Sequence, residues 1–144
     1  MGARAELDAE ETLKKGIQAL DPVLAPHGFE FVFERMGKGS GGHFAFGKYV
    51  RGDRSLELHF RYSLGLVTYR IGECSLDHES YMRFLGAYGR HSYPDFPSNP
   101  LESFQSLASD LQNYCEDFVS GDGIRFRSYA EELKRKPRMF SGLP

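Results

Sequence analysis

The run ELHFR places Glu57, His59 and Arg61 at alternate positions, so a β-strand projects all three from one side. A histidine there is a group that titrates near neutral pH, and an arginine is a charge-assisted donor to a carboxylate-bearing partner. DHE at 77–79 gathers three more ionisable groups at what reads as a helix start. The ordinary account there is Asp77 as N-cap, followed by first-turn charges that complement the helix dipole. It is preferred over catalysis, which needs the groups in a shared pocket. The loop GRHSYPDFPSNP (89–100) is long for a compact domain; either Tyr93 and Phe96 pack as lids on the core or the loop is functional, with His91 and Asp95 its best candidates for polar recognition.

Other spacings carry less. His43, His59 and Glu57 do not converge as metal ligands, because His43 falls on the opposite side of the sheet from His59. No third ligand has helpful spacing, and no cofactor is expected. RGD at 51–53 is read as turn chemistry. GKGSGGH lacks the Lys-Ser/Thr ending and the following helix of a phosphate-cradling loop.

The chain that must position these groups has 144 residues, the size of one domain. Hydrophobic residues make up 40% and aromatics 14%, enough for a real core. A single domain over 1–144 is expected, with about 6–136 ordered and 137–144 as a tail. The formal net charge of −2 argues against a surface that attracts nucleic acid throughout. No apolar run approaches the length of a membrane helix, and MGARAELDAEE lacks the apolar segment of a signal peptide. A cytoplasmic location is the expectation. Cys74 and Cys115 make no CxxC, and Cys115 lies on an apolar helical stripe as a small hydrophobe.

Leu13, Ile17, Leu20 and Leu24 predict a helix over about 6–26, kinked or restarted at Asp21-Pro22 and ended by His27-Gly28. Strands are expected at about 29–36, 43–50, 55–63 and 66–72, joined by the short connections KGSGG, RGDR and Leu64-Gly65. Helices follow at about 77–87, from Pro100 to about 120, and from Ile124 to Lys136. The middle one carries the clearest stripe: Phe104, Leu107, Ala108, Leu111, Cys115 and Phe118. The fold class is α+β, a four-stranded antiparallel meander with helices packed on one face, in two layers.

Turn positions propose a register. With Gly52-Asp53 as turn residues, Lys48 faces Glu57, Phe46 faces His59, and Phe44 faces Arg61. On the reverse side Tyr49 meets Leu56, Gly47 meets Leu58, and Ala45 meets Phe60. With Leu64-Gly65 as the next turn, Tyr62 faces Val67, Phe60 faces Tyr69, and Leu58 faces Ile71. Phe29, Phe31 and Phe33 point inward, since the other choice buries Glu30 and Glu34. The outer face then collects Phe44, Phe46, Lys48, Glu57, His59, Arg61, Thr68 and Arg70. Aromatics with arginines have the composition of a protein-binding patch, against which stand an ordinary antiparallel sheet wetted on one side and partial cover of the face by Met139 and Phe140 of the tail.

LDPVLAPHGFEF (20–31), together with this element order, is similar to small bacterial domains of unknown function, some of them immunity proteins of toxin systems. The resemblance implies a protein that binds and neutralises another protein rather than an enzyme, and it assigns no catalytic residue. The expected function is therefore non-enzymatic protein binding through the outer sheet face and the 89–100 loop. Phe44, Phe46, His59, Arg61, Arg70, His91 and Asp95 are the expected contacts. The alternative is a small-molecule-binding domain or enzyme with a pocket between the sheet edge and that loop, using His59, His78 or His91. RNA binding on the aromatic sheet face ranks last, given the acidic balance.

Overall fold

A computed structural model describes residues 2–39, 42–61, 64–94 and 99–135, the side chains of 2–8, 38, 39, 42 and 43 excepted. The chain begins with helix α1 (Gly2–Leu24) and a single 3-10 turn, Ala25–His27. Five strands follow: β1 (Glu30–Gly39), β2 (Gly42–Arg51), β3 (Arg54–Phe60), β4 (Leu64–Ile71) and β5 (Cys74–Asp77). Four helices follow among the described residues: α2 (His78–Phe84), α3 (Leu101–Tyr114), α4 (Glu116–Val119) and α5 (Ile124–Arg135). All neighbouring strands are antiparallel, in the order β1-β2-β3-β4-β5. The α+β class and the antiparallel meander are as the sequence implies, with one strand more than the four expected.

The added strand is β5. Its Leu76 is buried opposite Tyr69, and Cys74 stands opposite Ile71. At four residues it is too short for alternation to show above the helix signal that follows. Gly72 at φ +60 makes the tight turn that returns the chain, and its N–H donates to the Asp53 carbonyl.

β2 and β3 pair in the expected register, with Phe46 opposite His59, Lys48 opposite Glu57 and Gly47 opposite Leu58. β3 and β4 do not. Leu58 faces Val67 and Leu56 faces Tyr69, because the reversal precedes Leu64 rather than lying at Leu64-Gly65. The slip of four residues is even, so every side chain keeps its face. Leu58, Phe60, Val67, Tyr69 and Ile71 are accordingly buried, while Tyr62 lies outside the described residues.

The described helices cover one face of the sheet. Leu13, Leu20 and Leu24 of α1 and Phe104, Leu107 and Leu111 of α3 are buried there. Each such side chain contributes roughly 1.5–3 kcal/mol of transfer free energy. Phe104 stacks on Phe60 at 6.0 Å between centroids, and Phe118 stacks on Phe29 at 5.8 Å. Pro22 sits inside the last turn of α1 and neither restarts nor ends it, so Asp21 is not an N-cap. Its carboxylate accepts from the Tyr49 hydroxyl instead. The stripe expected to be one helix from Pro100 breaks at Cys115 into α3 and α4. The break lets Phe118 turn under the sheet. Among the described residues no helix is long and apolar enough to cross a membrane.

The RGDR turn proves to be a clamp. Arg51 Nη1 donates to the carbonyls of His27 (2.8 Å) and Val119 (2.9 Å). Arg54 Nη1 donates to those of Asp117 (3.2 Å) and Phe118 (2.7 Å). Two guanidinium groups thus tie the β2–β3 end of the sheet to carbonyls that helix ends leave unpaired.

Candidate functional site: the outer sheet face and a buried polar chain

Strand alternation carries Phe44, Phe46 and Lys48 of β2, Glu57 and His59 of β3, and Thr68 and Arg70 of β4 to the side away from the helices. Phe46 and His59 are direct cross-strand partners, and their rings stack at 4.2 Å and 16°. Burial lowers the His59 pKa against the opposing pull of Glu57, so the stacked imidazole is neutral at pH 7. The Arg61 guanidinium lies 5.6 Å from the centre of the Phe44 ring, and that of Arg35 lies 5.8 Å from it. Such contacts contribute about 0.5–1 kcal/mol at exposed sites. Around this centre the charges neutralise each other: Arg70 reaches Glu57 at 2.7 Å, and Lys48 reaches Glu34 at 2.7 Å.

Arg35 is the member that sequence alternation misses. The β1–β2 ladder shifts between Phe33 and Arg35, a bulge that turns both Glu34 and Arg35 to the outer face. The signal was present in Glu34-Arg35 itself. Two adjacent charges after a core-facing phenylalanine cannot both keep strict alternation without burying one.

The loop residues go elsewhere. His91 Nδ1 accepts the Gly89 N–H at 3.1 Å, and its ring lies 5.2 Å from Tyr88 and 6.0 Å from His78. His91 therefore belongs to the helical layer and does not join Phe44, Phe46, His59, Arg61 and Arg70. Asp95 and Phe96 lie outside the described residues. Tyr93 is buried, and its hydroxyl donates to the Leu64 and Gly65 carbonyls, pinning the loop to the start of β4.

No protein-family model matches this chain, and no curated protein or solved structure matches it significantly. The side chains themselves carry the functional reading.

His78 does not stand at the surface with its neighbours. Asp77 caps α2, accepting from Ser80, and Glu79 pairs with Arg83 outside. His78 instead enters the core at 3% exposure, where Asp110 of α3, at 0%, accepts its Nε2–H at 2.9 Å. The other ring nitrogen, Nδ1, then accepts the Tyr69 hydroxyl at 2.7 Å, and Cys115 Sγ lies 3.7 Å beyond. Asp110 also accepts the backbone N–H groups of Ser92 and Tyr93, each at 2.7 Å. The result is a closed donor–acceptor chain linking β4, α2, α3 and the loop.

A tyrosine, a histidine and an aspartate in line resemble an acid–base relay, but all three are buried in the core. Burial pushes the Tyr69 hydroxyl well above its ordinary range, and the Cys115 thiol up to about 12. Neither is an available nucleophile at neutral pH. A surface depression of about 290 Å3 lies at the far end of the helices, lined by Pro22, His27, Leu111, Glu116 and Ser120 and by none of His59, His78 or His91. Among the described residues no three His, Cys, Asp or Glu side chains converge as a metal site would require.

The buried carboxylate makes stability pH-dependent. Burial alone raises the Asp110 pKa, but hydrogen bonds from His78, Ser92 and Tyr93 outweigh it and hold the value below 3.8. A group depressed in the native state stabilises at every pH above its unfolded value, and the gain is lost as pH falls through the native value. The urea midpoint is expected to hold above about pH 5 and to fall steeply below about pH 4. The Asp110→Asn variant is expected to show a shallower fall, and equal slopes for the two proteins exclude Asp110 as the source.

Proposed function

We propose that this domain is a non-enzymatic, cytoplasmic protein-binding module of the immunity-like, toxin-neutralising kind, which captures its partner on the outer face of the sheet. The observation that carries the reading is the Phe44 centre, one ring under two guanidinium groups on a face that no described helix covers. Aromatics and arginines are the residues on which binding energy concentrates, and ordering before contact lowers the entropy cost of association. Phe44 and the Phe46–His59 stack are the apolar anchors. Arg61 and Arg70 supply charge-assisted donors to carboxylates on the partner, Arg70 by sharing its guanidinium with Glu57. The loop contributes where Tyr93 anchors it beside Gly65, at the same end of the sheet as Arg61.

The double variant Arg61→Ala/Arg70→Ala tests this, because both side chains lie outside the core. Its thermal unfolding is expected to stay close to that of the native protein. Retention of the partner bound by immobilised native protein is expected to drop at least about tenfold. Equal retention by the folded double variant removes the outer face from the reading.

A further inference from the structure

Among the described residues β1 is an edge of the sheet, hydrogen-bonded to β2 alone over a length of ten residues. Its free side presents backbone donors and acceptors that a further strand satisfies. Two of the most exposed large apolar side chains are on it, Val32 at 43% and Met36 at 49%. Charges and bulges usually keep such edges apart. Here the charges run in order, Glu30 and Glu34 and then Arg35 and Lys38. An antiparallel copy of this strand sets the basic half against the acidic half, so the charges attract.

The bulge selects the register. Glu34 and Arg35 both face outward, Glu34 reaching Lys48 and Arg35 lying over Phe44. Phe33 and Met36 flank them on the core side, opposite Gly47 and Ala45. Two copies related by a two-fold axis through the sheet must match outer face to outer face. Along the whole strand, through the bulge, one pairing does so. Glu34 meets Arg35 of the second copy, Phe33 meets its Met36, and Val32 lies beside its Gly37. In a strand without the bulge, adjacent residues point to opposite faces and this pairing is impossible.

We propose that a second copy of this chain docks antiparallel along β1, joining the two sheets into one, held at its centre by two reciprocal Glu34–Arg35 ion pairs. The dimer places two Phe44 centres on the same broad face. It does not depend on what those centres bind.

Sedimentation velocity from low to high micromolar concentration tests the proposal on the full chain. The native protein is expected to dimerise reversibly. Arg35→Glu makes the centre wholly acidic, and Glu34→Lys makes it wholly basic. Each variant alone is expected to dissociate at least about tenfold more readily, and an equimolar mixture is expected to regain native association. The mixture rescues because every cross-pair is again opposite in sign, an outcome that a merely structural role for either residue does not produce. A native protein that stays monomeric throughout overturns the proposal. So does a mixture no more associated than its components, or a variant that dimerises as the native chain does. Association that appears only after deletion of residues 137–144 also overturns it, by making that segment the occupant of the edge.

Discussion

Replacing Asp110 by Ala is expected to lower the unfolding free energy by about 3–5 kcal/mol, the range for removing one partner of a buried polar pair. The carboxylate is fully buried and accepts three hydrogen bonds, from His78 Nε2–H and the N–H groups of Ser92 and Tyr93. Truncation orphans the buried donors of His78 and Tyr93 as well as the part-buried Ser92 N–H, and each buried donor left unpaired carries its own desolvation penalty. The two backbone donors cannot be removed by a second substitution, so the loss persists in an Asp110→Ala/His78→Leu variant. For a chain of this length the melting temperature is expected to fall by on the order of 10 °C. Urea unfolding of the native and variant proteins measures the difference directly. A loss below about 1 kcal/mol shows that water enters and replaces the carboxylate.

The second large effect is expected at Gly16, and it runs against helix propensity. Alanine is the better helix former by about 1 kcal/mol. At this position a Cβ would stand 2.5 Å from the Phe104 ring, where α1 crosses α3. Phe104 is fully buried and stacked on Phe60, so the ring cannot move aside without disturbing the core. Gly16→Ala is therefore expected to destabilise by about 1–3 kcal/mol, the usual range for an overpacked core. Combining it with Phe104→Leu separates the two contributions. The double variant is expected to be more stable than the sum of the single losses implies, because the smaller side chain vacates the space the new methyl needs. Simple additivity excludes the clash as the cause.

Much of the fold is legible in local pattern. Ala45, Gly47 and Tyr49 alternate with Phe44, Phe46 and Lys48, and that alone assigns faces on β2. The pairing with β3 follows from Gly52-Asp53, because a two-residue turn admits one register. The β3–β4 slip shows the limit of such inference. The face assignment survives an error of four residues because strand periodicity is two, yet each cross-strand neighbour changes. β5 and the break at Cys115 are hidden for a related reason. Four residues carry too little pattern, and an apolar stripe that continues across a break looks like one helix.

The candidate site divides the same way. Phe46 beside His59 and Arg61 beside Phe44 could be placed from spacing, since each depends on one hairpin. Arg35 could not be placed by alternation, because a bulge reverses it and is fixed only when β1 is laid on β2. The His91 ring is on the helical side because Ala87–Tyr93 packs there, which nothing within the loop specifies.

The sequence by itself determined the class of the fold, which residues line the core, and that one sheet face gathers aromatics with arginines. Those are consequences of periodicity, and periodicity is local. Only the tertiary structure decided that His78 and Asp110, 32 residues apart, meet in the core. Neither helix calls for a polar group on its inward side. Each is tolerable there only because the other, with Tyr69 and two backbone N–H groups, satisfies it, and that balance exists only once four separate segments have packed together.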